Sequence, residues 1–355
     1  MQVQVDYTEK DLEIWNKELK DFLPDKIFDS HCHIWLKEHI REKAEPEVVN
    51  PSLPKVCEEF SLDDLIGAES ALFPEKKVEM LMFGNPEEEI KIEENNKYAS
   101  LSSENSRNYA LMIPPIEAKV EELDSVVSDG HFVGFKPYWT FVTWKEQNDV
   151  LIEDMVTEAQ LEVANKRGLI ILLHIPRKLR LADPYNLKSI KRIAKEYPNL
   201  KLVIAHIGRA YCSWPAKVGL EELKDLENVY FDTAMVQNPV SYQLLFRKVD
   251  KSRILFGTDL PIAMEKGKVV CVNNRNLFVT AKKYPWSLSM IGEKEEIECT
   301  FFVYEIIRAI KEAAELEGLS VADVNSIFYE NTKKLIESVI KGLENEVATI
   351  RLNKT

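Results

Sequence analysis

Residues 27–33 read IFDSHCH, an apolar run that ends in two histidines one residue apart. Successive side chains of a β-strand point to opposite faces, so His31 and His33 share a face and Cys32 points to the other one. Two imidazoles on one face at the end of a strand can bind a single cation. The run therefore predicts a strand that carries part of a metal site.

Eight short apolar runs of this kind occur along the chain. They are rich in Val, Ile, Leu and Phe, which is typical of strands covered on both faces. They are Lys26–His31, Lys77–Phe83, Asn108–Ile113, Phe132–Pro137, Leu169–His174, Lys201–His206, Asn228–Asp232 and Arg253–Asp259. Amphipathic segments long enough for helices lie between most of them, at Pro86–Ser100, Ile116–Ser128, Asn148–Arg167, Asn186–Tyr197, Pro215–Leu226 and Pro239–Val249. Alternating strands and helices predict an α/β protein, and eight such units predict a (β/α)8 TIM barrel, which typically takes roughly 250 residues.

The chain is 355 residues long, so the barrel leaves additional length to be placed. Residues 7–22 predict a helix before the first strand, and residues 298–342 predict closing helices. Long insertions follow strand one, at residues 35–76, and strand eight, at residues 260–298. No repeat or interdomain linker is visible, so we interpret residues 1–355 as a single barrel domain with strands from 26 to 259.

Two helix starts carry capping signals. Asn85, followed by Pro86 and three glutamates, offers a capping side chain, a proline in the first turn and acids that match the helix dipole. Ser61, followed by Asp63 and Asp64, offers a weaker version inside the first insertion. We expect a helix to begin at each place.

The composition excludes several classes of partner. The net charge is −13, from 46 basic and 59 acidic residues, and a surface of this sign repels phosphate backbones, so we expect no nucleic-acid partner. No apolar run approaches the roughly 20 residues that cross a bilayer, and no signal peptide is visible. The five cysteines are odd in number and lack a CxxC motif, which favours reduced thiols and a cytoplasmic location over a disulfide framework.

Four predicted strands end in residues that bind metals. His31 and His33 end the first strand, and His174, His206 and Asp259 end the fifth, sixth and eighth. The carboxyl ends of barrel strands converge on the active-site face, so we expect these side chains to meet. Imidazole nitrogens and a carboxylate suit Zn²⁺ or another first-row divalent ion. Such an ion can lower the pKa of a bound water toward roughly 7, and the histidine not used as a ligand would serve proton transfer or polarise a carbonyl.

This set resembles the amidohydrolase superfamily, most closely its amidohydrolase-related (amidohydrolase 2) family of metal-dependent hydrolases. The resemblance spans most of the chain and is carried by 29–33 (DSHCH), 134–137 (GFKP), His174, 205–208 (AHIG), 257–261 (GTDLP) and 327–332 (IFYENT). It implies that His31, His33, His174 and Asp259 are metal ligands and that Asp259 also accepts a proton from the metal-bound water. His206 would be the catalytic histidine of a mononuclear site or a ligand of a second metal. We expect one zinc ion rather than two.

Three cations are candidates for substrate binding. Lys136 lies near the place where binuclear members carry a carbamylated lysine, so a solvated lysine, a substrate contact and a carbamylated bridge are all open, and we favour substrate contact. Arg177 and Arg209 each lie three residues beyond a predicted site histidine. Guanidinium groups bind carboxylates in a bidentate manner, although ordinary surface arginines fit the sequence equally well.

The sequence thus predicts a hydrolase in which a metal-activated water cleaves an ester, lactone or amide bond of a small, carboxylate-bearing molecule. Asp259 would be the general base and His206 would polarise the scissile carbonyl. An alternative with the same metal set is a decarboxylase or hydratase of an unsaturated carboxylic acid. A remote alternative is an inactive barrel used as a binding protein, for which a broken ligand set would be expected. Dimers are common in the branch that the chain resembles, so the resemblance allows a homodimer.

Overall fold

The eight predicted strands form one parallel sheet in chain order. The computed structural model describes residues 5–41, 56–87, 89–129, 132–282, 287–289 and 298–352, with the backbone alone for residues 289 and 345–352. The strands are β1 Lys26–His33, β2 Lys77–Phe83, β3 Tyr109–Met112, β4 Phe132–Phe135, β5 Ile170–Leu173, β6 Lys201–Ile204, β7 Val229–Asp232 and β8 Ile254–Leu255. Each strand pairs in parallel with the next, from β1 to β8. The predicted (β/α)8 barrel is confirmed.

Helices lie between the strands and before and after the barrel. They are α1 Glu9–Ile14, α2 Leu62–Leu72, α3 Ile92–Glu104, α4 Val120–Asp129, α5 Ile152–Met155, α6 Glu158–Arg167, α7 Pro184–Glu196, α8 Ser213–Leu223, α9 Pro239–Lys248, α10 Phe302–Glu317, α11 Val321–Asn325 and α12 Asn331–Leu352. Every residue of β5 is buried, as expected for a strand covered on both faces. None of the helices in the described residues is long and apolar enough to span a membrane.

The barrel closes between β1 and β8, where the pairing is irregular. The Ser30 N–H donates to the Phe256 carbonyl at 2.9 Å, and an isolated parallel bridge joins Cys32 to Leu260. The buried carboxylate of Asp29 accepts hydrogen bonds from the backbone N–H groups of His31, at 3.0 Å, and Thr258, at 2.9 Å. The Asp29 carboxylate therefore takes the place of backbone acceptors where β1 meets β8, two residues before the first site histidine.

The two capping signals have opposite outcomes. The weaker one is confirmed, because α2 begins after Ser61, whose hydroxyl accepts from the Asp64 N–H while the Asp64 carboxylate accepts from the Ser61 N–H. The stronger one is wrong, because α3 begins only at Ile92. The Asn85 side chain instead accepts from the Glu87 N–H at 3.2 Å and forms a local turn.

Two parts of the predicted insertions, residues 42–55 and 283–297 except 287–289, lie outside the described residues. The second insertion contains a three-stranded sheet, β9 Gly267–Val272, β10 Arg275–Thr280 and β11 Leu288–Ser289, which we call the capping sheet. β9 and β10 are antiparallel and are joined by Asn273 and Asn274, which have positive φ angles of 49° and 62°.

A disulfide joins Cys212, at the start of α8, to Cys271 in the capping sheet. The prediction that the cysteines are reduced is therefore wrong for this pair, while Cys32, Cys57 and Cys299 are free thiols. The two bonded cysteines are 59 residues apart in sequence and come together only because the insertion after β8 reaches back to the loop after β6.

Candidate metal centre

The predicted site residues meet at the carboxyl ends of the barrel strands. The ring centroids of His31 and His33 are 5.7 Å apart, those of His31 and His206 4.8 Å, and those of His206 and His174 5.0 Å. His31 and His33 are fully buried, whereas the side chain of Asp259 is 15% exposed. Asp259 and the partly exposed His174 are therefore the members of the group that solvent or a substrate can reach.

The hydrogen bonds of His31 and His33 fix where their lone pairs point. His31 Nδ1 donates to Asp232 Oδ2 at 2.8 Å, and His33 Nδ1 donates to the Gly84 carbonyl at 3.0 Å. In neutral imidazoles the Nε2 atoms are then acceptors. Both Nε2 atoms face Asp259 Oδ1, at 3.3 and 3.1 Å, and His31 Nε2 is buried without a hydrogen-bond partner in the described part of the chain. Three acceptors thus converge on one point, an arrangement that a cation satisfies.

The electrostatics favour positive charge at this point. Burial opposes protonation of His31, but the Asp232 and Asp259 carboxylates outweigh it and raise its pKa. Burial lowers the pKa of His33, and it would raise that of Asp259, but His31 and His33 hold the Asp259 pKa well below its usual range. The donor set of imidazole nitrogens and a carboxylate oxygen fits a first-row divalent ion.

His206 and His174 form the outer part of the site. His206 Nδ1 donates to the Ala234 carbonyl at 3.0 Å, so its Nε2 is an acceptor, which faces His174 Nδ1 at 3.2 Å. Burial lowers the pKa of His206 to about 4. The ligand atoms of His31, His206 and Asp232 lie within 4.8 Å of one another, as do those of His31, His33 and Asp259, and among the described residues no such group includes His174.

The sequence interpretation missed Asp232, which orients two of the histidines. Its Oδ2 accepts from His31 Nδ1, and its Oδ1 accepts from the backbone N–H of His206 at 2.6 Å. A signal was present, because Asp232 ends β7 as Asp259 follows β8. Carboxylates that hold metal-binding histidines in this way fix both the ring orientation and the tautomer.

Lys136 follows β4 and is fully buried, which excludes the solvated lysine among the three alternatives. Its Nζ has no hydrogen-bond partner among the described residues and lies 5.2 Å from the ring centroid of Phe83 and 4.6 Å from that of Tyr138. Burial lowers its pKa to about 8, against the opposing effect of Asp232 and Asp259. An unsatisfied ammonium group thus lies beside the candidate metal ligands.

Comparison with protein families identifies this arrangement. The family model described as amidohydrolase matches residues 28–337, from β1 into α12. The chain belongs to the amidohydrolase 2 family. This family generally binds divalent metal, which agrees with the ligand groups around His31.

Several solved structures share the fold. One is an amidohydrolase 2 from Bifidobacterium longum subsp. infantis, with 14% identity and a TM-score of 0.51, over 88% of this chain and 99% of that one. Another is a probable 2-pyrone-4,6-dicarboxylic acid hydrolase from Acinetobacter baumannii with citric acid bound, with 13% identity and a TM-score of 0.54, again over 88% and 99%. A third is a 2,6-dihydroxybenzoate decarboxylase complexed with 2,6-dihydroxybenzoate, with 15% identity and a TM-score of 0.51, over 89% and 99%. No curated protein matches the sequence significantly.

The two predicted arginines differ in how they are held. Arg177 donates to Asp183 at 3.0 Å and lies over the Tyr185 ring, so a carboxylate already neutralises its charge. Arg209 makes only long hydrogen bonds, of 3.4 and 3.5 Å, to backbone carbonyls, and has no ion pair among the described residues. Of the two, Arg209 is the one whose charge is available to an anion.

The rim of this site also contains most of the strained backbone. Among the described residues other than glycine, positive φ angles occur mainly in the loops that follow β5 to β8, at Arg177, Arg180, His206, Ile207, Arg209, Met235 and Asp259. Left-handed backbone costs an ordinary residue about 1–2 kcal/mol, so it persists only where the surroundings enforce it. Its concentration around the candidate metal centre indicates that the surrounding structure enforces the geometry of these loops.

Proposed function

We propose that the chain is a metal-dependent hydrolase that cleaves an ester, lactone or amide bond of a small, carboxylate-bearing molecule. The observation that carries this proposal is the convergence of His31 Nε2, His33 Nε2 and Asp259 Oδ1, three acceptors with no donor between them. Family membership and the intact ligand set argue against an inactive binding protein.

His31, His33 and Asp259 would hold the metal, with His174 or His206 completing the set. One zinc ion is the expected occupant, because two of the ligand groups share His31. When bound, the cation supplies Lewis-acid chemistry, polarising a carbonyl and lowering the pKa of water.

Asp259 is suited to act as the general base. Its Oδ1 faces the two histidines, while its second oxygen makes no hydrogen bond to a described residue. The side chain is partly exposed beside fully buried imidazoles. It can therefore accept a proton from an attacking water and pass it to the leaving group.

Of the roles that the sequence leaves open for His206, we favour metal ligand or proton acceptor over polarisation of the scissile carbonyl. To polarise a carbonyl, its Nε2 would have to donate a hydrogen bond, yet its Nδ1 carries the proton that binds the Ala234 carbonyl. Neutral His206 therefore presents a lone pair, and we assign it as a metal ligand or proton acceptor.

Lys136 and Arg209 are the two cations near the site that would bind anionic groups of the substrate. Both lie near His174 and lower its pKa, and neither makes an ion pair with a described residue. Two uncompensated cations in a pocket of a chain with net charge −13 favour an anionic ligand.

Decarboxylation is the second candidate, because one structural relative is a 2,6-dihydroxybenzoate decarboxylase and another a probable 2-pyrone-4,6-dicarboxylic acid hydrolase. The compounds in both names carry carboxylates, which agrees with the positive charges of Lys136 and Arg209 in this chain. The same metal set and proton carrier serve either reaction.

Metal content and turnover test the proposal. We expect purified protein to contain about one divalent ion per chain, and His31→Ala to lose it, whereas His39→Ala, a buried histidine outside the site, retains it. A panel of lactones, amides and carboxylated dienes should reveal hydrolysis that Asp259→Asn reduces at least about 10²-fold. Carbon dioxide release instead of hydrolysis would select the decarboxylase, and protein without metal would overturn both.

A further inference from the structure

Arg180 lies in the loop between β5 and α7, against the loop that carries Arg209. Its guanidinium donates to the Arg209 carbonyl at 3.3 Å and to the Asn276 side chain in β10. Its Cζ lies 5.3 Å from the ring centroid of Tyr211, and that ring is 6.1 Å from His206. Arg180 thus connects the capping sheet to the wall of the metal centre.

No carboxylate of the described residues forms an ion pair with Arg180 or Arg209. Three other partly buried arginines do have such partners, namely Arg167 with Asp124 at 2.6 Å, Arg177 with Asp183 at 3.0 Å and Arg308 with Glu18 at 2.8 Å, whereas Arg253 donates to backbone carbonyls. Burial lowers the pKa of both unpaired groups, and the Arg209 charge lowers that of Arg180 further, to about 10. Two like charges held together without a counterion are unfavourable until an anion joins them.

The backbone holds both arginines in place. Arg180 and Arg209 have positive φ angles of 59° and 60°, which non-glycine residues adopt only at a cost. Gly208, beside Arg209, has a φ angle of 64°, and a Cβ atom there would lie 2.5 Å from Leu181 Cδ1. The loops of the two arginines are therefore packed directly against each other.

A cavity of about 510 Å³ opens beside Arg180. Its walls include Lys178, Trp214, Arg275 and Asn276, and its lining residues contain no acid. A guanidinium carries five donors, and Arg180 uses few of them on its neutral acceptors. The remaining donors suit the two oxygens of a carboxylate.

We propose that Arg180 and Arg209 form an outer anion subsite, which binds a second carboxylate of the substrate, away from the reacting bond. Lys136 would bind the first carboxylate close to the metal, so the compound that fills the pocket is a dicarboxylate. This inference rests on the proposed function in treating the bound dicarboxylate as a substrate. The subsite itself is tested by binding alone.

The test compares benzoate with phthalate, isophthalate and terephthalate, which carry two carboxylates at three spacings. Calorimetric titration of the purified protein at fixed ionic strength should give at least one dicarboxylate a Kd about tenfold below that of benzoate. Arg180→Met should bring that ratio to within twofold of one and leave the benzoate Kd unchanged. Arg180→Lys keeps the charge but loses the planar guanidinium group that donates two parallel hydrogen bonds to a carboxylate. This variant should give an intermediate ratio.

Arg192→Met is the control for loss of a positive charge. Arg192 lies on α7 and forms ion pairs with Glu158 and Glu196, so the dicarboxylate preference should persist in this variant. Asn276→Ala removes the side chain that holds Arg180 and should weaken the preference even if Arg180→Met folds poorly. The proposal is overturned if no dicarboxylate binds more tightly than benzoate, or if folded Arg180→Met keeps the preference. Binding of a dicarboxylate that depends on Arg180, together with no turnover of any lactone, amide or carboxylated diene, would overturn the proposed function alone.

Discussion

One carboxylate, that of Asp232, holds the ring of His31 and the backbone of His206 at the candidate metal centre. It accepts from His31 Nδ1 with one oxygen and from the backbone N–H groups of His206 and Ala234 with the other. Since the carboxylate is only an acceptor, the proton of neutral His31 must lie on Nδ1. Asp232 therefore leaves the lone pair of His31 on Nε2, where it can bind a metal.

Asp232→Asn should therefore weaken metal binding more than its similar shape suggests. The amide oxygen would keep the two backbone bonds, and the amide N–H₂ would face His31 Nδ1, which then has to become an acceptor and move its proton to Nε2. We expect metal affinity to fall about 10–100-fold, measured by competition with a chelator. Asp250→Asn, at an exposed 3₁₀-helix cap, is the matched control, and equal affinities in the two variants would contradict this role.

Residues of the site were predictable where they end apolar strands. His31, His33, His174, His206 and Asp259 stand out for this reason, and the structure brings them together. Arg180 was not predictable, because it lies inside a loop, and its importance comes from contacts with β10, nearly a hundred residues later in the chain. Sequence spacing carries no signal for such a contact.

At the scale of elements, the barrel strands were predictable because each is a buried apolar run, and β2 matches its predicted bounds. The capping sheet was not, because β10 is only partly buried and lacks a continuous apolar run. A weaker signal was present in Asn273-Asn274 between two β-rich segments, since two such residues suit the left-handed turn of a hairpin. The helix expected at Asn85 failed because tertiary contacts use that stretch as a turn.

A single carboxylate also anchors the N-terminal helix. Asp11 in α1 is buried and accepts from Lys266, at 2.6 Å, and from the Thr300 hydroxyl, at 2.7 Å. These partners lie just before β9 and just before α10. Burial alone would raise the pKa of Asp11, but the bonds from Lys266, Thr300 and Thr8 outweigh it and lower the pKa.

Asp11→Asn should lower the free energy of unfolding by about 2 kcal/mol at pH 7. Because the folded pKa of Asp11 lies below its unfolded value, this contribution is complete above about pH 4 and is lost as the pH falls through the folded pKa. Urea unfolding at pH 7 and at lower pH should therefore show the gap from the wild type shrinking in acid. Asp21→Asn, at an exposed aspartate, should have the same free energy of unfolding as the wild type. A difference between Asp11→Asn and the wild type that does not change with pH would refute the assignment.

At the scale of the whole molecule, the disulfide restrains a large part of the chain. It closes a loop of 59 residues between α8 and the capping sheet. In the chain-entropy account, such a crosslink lowers the conformational entropy of the unfolded state. This stabilises the folded state by about 4 kcal/mol, as an upper value.

Cys271→Ser should accordingly lower the Tm, measured by calorimetry without reductant. Dithiothreitol should lower the wild-type Tm to a similar extent and leave the variant unchanged. Cys299→Ser removes a half-buried free thiol and serves as the control. A reductant-insensitive Tm in the wild type would show that the crosslink contributes nothing.

The capping sheet is attached to the pocket by the Cys212–Cys271 bond, the Arg180–Asn276 hydrogen bond and the contact of the Tyr211 and Phe278 rings, 5.9 Å apart. None of these attachments involves the metal-binding residues. Mutations in one insertion can thus alter what the pocket accepts while the reaction centre is inherited intact. Substrate specificity can therefore diverge among relatives of this protein while the catalytic residues stay the same.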